Sequence, residues 1–317
     1  MDIAKIADII KNNDNFAVAI HINPDGDCLG SSSALVSALR SMGKTAHIVL
    51  DGDVPERLEF VTRPEYFGSP DDLYNVCIAV DVASDYMMGD MFKRVFEKSK
   101  ITCCIDHHGT NGGYAGFNYV DADASAAGEI VYEFIRDYLG CEISIEIASM
   151  LYTAIASDTG GFRYSNTTPR THIIASELIC RGVDSAEITR KLFEEKTISQ
   201  LRLRADAING MQFYADSKIC VVTVDRAMLG KYNMTFEQAD DLASLPGSVR
   251  GVEVGVYVKV RSDNEVKLSL RSKRYVDVSR IAATFGGGGH LHAAGVTMHM
   301  NVKEAEELII SEIVKAM

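Results

Sequence analysis

One imidazole and two carboxylates fall close together in His21-Ile22-Asn23-Pro24-Asp25-Gly26-Asp27, and further donors of the same kind follow at Asp81, at Asp106-His107-His108 and at Asp158. Pro24 and Gly26 break regular structure, so neighbouring side chains of the first segment can converge on a cation. Taken alone, that segment reads equally well as an Asx turn capping the next helix, and a lone aspartate ending an apolar run is more often a turn former. Taken together, oxygen and imidazole donors without thiolate select manganese, with magnesium or cobalt also fitting, and their number suffices for two divalent metal ions. Two cations roughly 3.5–4 Å apart position a water, lower its pKa and stabilise entering and leaving oxygens in an in-line attack at phosphorus. Phosphate-ester hydrolysis is the chemistry these residues predict.

The elements around them predict how they meet. Residues 16–20 (FAVAI), 76–80 and 101–105 are short continuous apolar runs, each followed by the polar donors, and 45–50 is a further strand. Helical spacing recurs in the first ten residues and at 31–42, 90–98, 126–139, 145–156 and 168–182. The residues 21–32 between the first strand and helix read as a loop. Such β-α alternation implies a mostly parallel, helix-covered sheet whose functional groups gather beyond the carboxyl ends of its strands. Strands at 219–225, 252–260 and 266–271, with helices near 235–244, 276–285 and 302–316, predict a second α/β unit. The fold class expected is α/β: an N-terminal, mostly parallel sheet flanked by helices, linked to a smaller C-terminal α/β domain with a mixed sheet. The expected boundaries are 1–190 for the metal-binding domain, 191–215 for a helical connector and 216–317 for a substrate-binding domain.

At 317 residues two domains are the default, and 47% hydrophobic with 24% charged residues describes an ordinary globular chain. No apolar run is long enough to span a bilayer and the N-terminus lacks a signal peptide's apolar block, so a cytoplasmic protein without membrane partners is expected. The seven cysteines (28, 77, 103, 104, 141, 180, 220) show no C-x-x-C spacing and predict reduced, buried thiols. Adjacent Cys103 and Cys104 in a strand point to opposite faces, which argues against a thiolate zinc site. A net charge of −12 disfavours binding long duplex nucleic acid through a broad basic face, although cations in the site would reverse the local field.

In the C-terminal part, Gly286 to His290 form a GGGGH run. Gly287, Gly288 and Gly289 would let backbone amides approach an anion, and His290 would add a donor; a simple flexible turn is the alternative. Lys259, Arg261, Lys267, Arg271, Lys273 and Arg274 make the main basic cluster of the chain, with a solvated strand face as the plain alternative. Arg271, beside Ser272, is the expected phosphate clamp, because guanidinium grips phosphate through two parallel hydrogen bonds. With 8% aromatic residues and no tryptophan, a platform stacking many bases has little support.

HINPDGD, Asp81, IDHHG and SDTGGFRYSNTT together resemble the DHH phosphoesterases, and FGGGGHLHAAG resembles the signature of their associated C-terminal domain; the order matches across nearly the whole chain. The layout is most similar to the bacterial nano-RNases that also remove phosphate from 3′-phosphoadenosine 5′-phosphate (pAp). The resemblance implies that His21, Asp25 and Asp81 hold one metal and that Asp27, Asp81, His107 and Asp158 hold the other, with Asp81 bridging. It also implies that His108 faces the scissile phosphate, that Asp106 orients its neighbours and that a water between the metals is the nucleophile. The substrates it implies are RNA of about two to five nucleotides, released as nucleoside 5′-monophosphates, and pAp, converted to AMP and phosphate. Linear or cyclic dinucleotides, pyrophosphate and a non-catalytic nucleotide-binding regulator are the alternatives, and a homodimer is compatible. The segment VASDYMMGDM after Asp81 is less typical of the family, which puts substrate contacts there in doubt.

Overall fold

The computed structural model describes residues 3–317, apart from the side chain of His290. The chain divides into two compact units after Glu195.

In the first unit, α1 (Ile3–Asn12) buries Ile3, Ile6 and Ile10 and leads into β1 (Phe16–Ala19). Then come α2 (Gly26–Ser41), β2 (Ala46–Val49), β3 (Val76–Val80), β4 (Ile101–Asp106) and β5 (Phe117–Val120). The helices α3 (Ala127–Glu133), α4 (Ile145–Asp158), α5 (Pro169–Cys180) and α6 (Ser185–Thr189) complete it. All five strands are parallel, in the order β2-β1-β3-β4-β5. Because side chains alternate along a strand, Phe16, Val18, Ile78 and Cys103 enter the core on one face, while Ala17, Ala19, Cys77 and Cys104 enter the core on the other. The two adjacent cysteines do face opposite ways.

The sequence order reverses direction at β1, which has β2 on one side and β3 on the other. The crevice at such a switch point lies outside the carboxyl ends of the strands, where no crossover covers it. Residues 20–27 leave β1 there and Asp81 leaves β3 there.

The helix after β1 starts five residues earlier than its apolar pattern predicts. Asp25 is its N-cap, accepting the Cys28 N–H at 3.0 Å, so Asp27 stands in the first helical turn instead of in a loop. Glycine lets α2 lie against α4: a Cβ at Gly30 would sit 2.5 Å from the Met150 carbonyl oxygen, and one at Gly26 would sit 2.5 Å from Ser157 Oγ. This approach brings the first turn of α2 to the last turn of α4, which ends at Asp158. Gly30→Ala is therefore expected to destabilise the protein by about 1–3 kcal/mol through overpacking, read as a lower urea midpoint with an unchanged slope.

The second unit comprises α7 (Ile198–Asn209), β6 (Gln212–Tyr214), β7 (Ile219–Val224), α8 (Arg226–Lys231), β8 (Val254–Ser262) and β9 (Glu265–Ser272). It continues with α9 (Val278–Ala283), β10 (Gly288–His290), β11 (Ala293–Met298) and α10 (Val302–Ala316). Its mixed sheet runs β10-β11-β9-β8-β7-β6, with β7 and β8 parallel and the other pairs antiparallel. Ile281, Ile309 and Ile313 pack one face; Leu203, Ala207 and Leu229 pack the other. Among the described residues, no helix is long and apolar enough to cross a membrane.

Candidate metal centre

Asp81 follows β3 with φ +59°, a left-handed conformation that costs a non-glycine residue free energy, and its N–H donates to the Ile105 carbonyl at 3.0 Å. The turn places the carboxylate among imidazoles. Asp81 Oδ1 lies 3.4 Å from His107 Nε2 and 3.6 Å from His108 Nδ1, yet it is buried without a hydrogen bond. A buried carboxylate oxygen left without a partner costs about 1–3 kcal/mol or more, and a divalent cation supplies what it lacks.

His107 Nε2 also faces Asp27 Oδ2 at 3.8 Å and Asp158 Oδ2 at 3.7 Å, while its Nδ1 meets the Ala124 carbonyl oxygen at 3.3 Å. A hydrogen bond from Nδ1–H to that carbonyl fixes the tautomer that turns the Nε2 lone pair towards the carboxylates. Three groups bring their donor atoms within 4.8 Å of one another: His21, Cys28 and Asp81; Asp81, His107 and His108; and Asp27, His107 and Asp158. Asp81 and His107 each belong to two of these groups. Asp25 belongs to none of them; its Oδ1 caps α2, and its charge acts on Asp81 and His21 from beside them.

Sequence reasoning assigned Asp106 to orient its neighbours but missed Ser31, Asn111 and the backbone amides that hold the donors. Asp27, 1% exposed, accepts from Ser31 Oγ at 2.8 Å and from the N–H groups of Ala127 and Gly128 at 2.7 and 2.9 Å. Ser31 thus does more than pack within its helix; its spacing four residues after Asp27 is the signal that was available. Asp106, fully buried, grips His108 Nδ1 at 2.8 Å with one oxygen and accepts from Asn111 Nδ2 at 2.7 Å with the other. Cys28, expected as a reduced, buried thiol, has its sulfur beside His21 and Asp81. Burial, with Asp81 and Asp25 nearby, pushes its pKa well up, so it stays a thiol.

Burial raises the pKa values of Asp25 and Asp27, and repulsion from Asp81 adds to both. Burial, aided by Asp25 and Asp81, pushes Asp158 up to about 7. His107 is held up at about 10 by Asp81, Asp27 and Asp158 although burial opposes its charged form. His108 is raised by Asp106 against the same opposition, and Asp106 is lowered by its bonds to His108 and Asn111 despite its own burial. Without a cation the site has too much negative charge and takes up protons.

A carboxylate with a raised folded pKa contributes stability that is present below its unfolded value of 3.8; for Asp158 that contribution is lost as pH rises through about 7. Cations replace these protons, so metal stabilisation grows across that window. Manganese at about 100 times its pH 8 dissociation constant is expected to add about 2.7 kcal/mol, or roughly 5–10 °C in Tm, at pH 8 and far less at pH 5. Equal shifts at the two pH values in calorimetry would contradict this.

In the second unit, Arg271 is exposed near the end of β9, paired with Gly255 on β8 and Ala293 on β11. Ser272 is pinned to His292, with Oγ 2.8 Å from Nδ1 and its N–H on the His292 carbonyl at 3.1 Å. A Cβ on Gly287 would lie 2.3 Å from the Gly295 carbonyl oxygen, and Gly289, at φ +149°, would meet the Ala293 carbonyl as closely, whereas Gly288 faces open space. The glycines therefore serve a close strand approach as well as any ligand. The side chain of His290 lies outside the described residues. The basic cluster is smaller than its sequence suggests: Lys259 is buried against Asp240, Arg261 faces Glu265 at 3.6 Å and Lys273 donates to the Val249 carbonyl at 2.7 Å.

Comparison with known proteins bears on this constellation. The model of the DHH family N-terminal domain matches residues 15–155, and that of the DHHA1 domain matches 216–316. The chain belongs to the DHH family of phosphoesterases. It is 33% identical over 300 residues to a Thermus thermophilus protein named bifunctional oligoribonuclease and PAP phosphatase NrnA, covering 93% of this chain and 88% of that one. It is 27% identical to the Bacillus subtilis protein of the same name, covering 88% of each. A crystal structure of an exopolyphosphatase-related protein from Bacteroides fragilis is similar at a TM-score of 0.91 and 25% identity, covering 99% of this DHH chain and 95% of that one.

Proposed function

We propose that this DHH-family enzyme uses two divalent cations, manganese in first place, to hydrolyse short oligoribonucleotides to nucleoside 5′-monophosphates and pAp to AMP and phosphate. The observation that carries the reading is Asp81: its buried, unbonded oxygen lies near both His107 and His108, and the residue belongs to two of the three groups of converging donors. The names of the Thermus and Bacillus relatives support the substrate class.

The bound ions would supply an activated water and neutralise charge on the phosphoryl oxygens. His21, Asp25, Asp27, Asp81, His107 and Asp158 are the residues assigned to hold them. Asp106, fixed by Asn111, sets the orientation of His108, the group assigned to the scissile phosphate. His107 is kept as a donor by its hydrogen bond to Ala124, and Asp27 is kept turned towards it by Ser31 and two backbone amides. In the second unit, Arg271 and Ser272 with the backbone of Gly287 to Gly289 and His290 are assigned to a phosphate away from the scissile bond. The cysteines are all unpaired, five of them buried, in keeping with the reducing cytoplasm.

The test is a side-by-side assay of short RNA, pAp, a linear diadenylate, a cyclic dinucleotide, pyrophosphate and long single-stranded DNA, with manganese and with chelator. Short RNA and pAp are expected to turn over fastest, and chelation is expected to stop all hydrolysis. Faster release from pyrophosphate or a cyclic dinucleotide would overturn the substrate assignment.

A further inference from the structure

The segment joining β5 to α3 faces the metal centre with its backbone. The Ala124 carbonyl holds His107, and the Ala127 and Gly128 amides hold Asp27. None of these groups is a side chain, so the conformation of this segment and of the first turn of α3, together with Ser31 on Asp27, sets where two of the donors stand. What fixes that conformation lies on its far side. Glu129, fully buried, accepts from both Ser125 Oγ at 2.5 Å and the Ser125 N–H at 3.3 Å. Arg170 approaches Glu129 at 3.7 Å, grips both oxygens of Glu133 at 2.9 and 2.7 Å, and bonds Asp121 Oδ2 at 2.7 Å. Asp121 opens the turn, its carbonyl accepting the Ala124 N–H at 3.1 Å, and its own N–H donates to the Asp106 carbonyl at 3.0 Å. Asn166 bridges the Ser125 and Asp158 carbonyls at 2.9 and 3.2 Å, tying the same segment to the end of α4.

We infer that Arg170, Glu129 and Ser125 form a positioning latch that sets the affinity of one metal site, the one made by Asp27, His107 and Asp158, and leaves the other site largely alone. The chemistry favours this over a purely structural role. Three carboxylates surround a single guanidinium, but Arg170, Asp121 and Glu133 keep side-chain exposures of 30, 21 and 33%, and ion pairs open to solvent contribute little to stability. Its hydrogen bonds instead fix one backbone stretch, and that stretch's inward groups all serve one donor set. The His21 and Asp81 side of the centre receives no contact from it in the hydrogen bonds and ion pairs described above. Groups that orient metal ligands typically change metal affinity by about 10–100-fold when removed.

The inference rests on the two-metal reading, and titration calorimetry of the full chain with manganese alone separates the two. Wild type is expected to bind two ions; binding of none or one would remove the two-metal reading itself. Given two, Ser125→Ala, which deletes one hydroxyl, and Arg170→Lys, which keeps the charge but loses the fork, are each expected to weaken one site about 10–100-fold and the other less than about threefold. Activity of both variants should recover at high manganese with the KM for pAp unchanged, and Ser125→Thr should restore the affinity. Equal weakening of both sites, or none in either variant, would overturn the latch. A fall in Tm with both affinities intact would assign these residues to stability alone, and would overturn it too.

Discussion

Replacing Asp81 by alanine is expected to lower turnover at least about 10³-fold on every substrate, equivalent to about 4 kcal/mol of lost transition-state stabilisation. The reason is position. Asp81 is grouped once with His21 and Cys28 and once with His107 and His108, and its Oδ1 is the oxygen that faces the two imidazoles of the second group. On the proposed assignment its removal would take one ligand from each ion and leave like charges on Asp25, Asp27 and Asp158 with less to bring them to a common cation. Asp81→Asn keeps the shape and loses the charge, so it should fail nearly as badly. The left-handed backbone at Asp81 adds a separate signature, because Asn tolerates that conformation better than Ala. The Asn variant should therefore keep more of the metal-free protein's Tm than the Ala variant. Initial rates on pAp, short RNA and a small chromogenic diester check the first part. Retention of more than a tenth of the wild-type rate on any of them would contradict the bridging role.

Arg271→Ala is expected to act on binding, and selectively. A charge-assisted contact to phosphate contributes about 1.5–3 kcal/mol, so KM for pAp and for short RNA should rise about 10–100-fold while kcat changes little. A diester without a second phosphate, such as bis(p-nitrophenyl) phosphate, should be hydrolysed with unchanged kcat/KM. The residue stands exposed between small strand neighbours, and the Ser272–His292 pair and the three backbone amides of Arg274, Tyr275 and Val276 on Glu253 brace the strand's exit. Arg271→Lys should recover part of the loss, since it restores charge without the fork. Uniform loss on all substrates would show that Arg271 acts on the fold instead of on a phosphate.

How much of this could be read from the sequence depends on where the information lies. Strands β1, β3 and β4 are continuous apolar runs buried on both faces, so they stand out, and the parallel-sheet rule then predicts that Asp81, Asp106 and His107 gather at one edge. The start of α2 was hidden because Pro24 and Gly26 look like breakers; Pro24 in fact precedes the N-cap and Gly26 lies where α4 leaves no room for a Cβ. Strand β10 was masked by its glycines, and β5 by residues only half buried. Arg170 and Asn166 carry no local pattern, since Arg170 meets Glu133 and Asp121 across 37 and 49 residues and Asn166 meets Ser125 across 41, whereas the four-residue spacing of Ser125 and Glu129 was a local signal. Lys259 illustrates the converse error, since a basic residue in a strand looked available for phosphate until Asp240 was found against it.

Crystals grown with manganese and measured at its absorption edge test the central claim most directly. The account predicts two anomalous peaks roughly 3.5–4 Å apart, with Asp81 touching both and His107 touching one. A single peak, or a pair that Asp81 does not bridge, would contradict it.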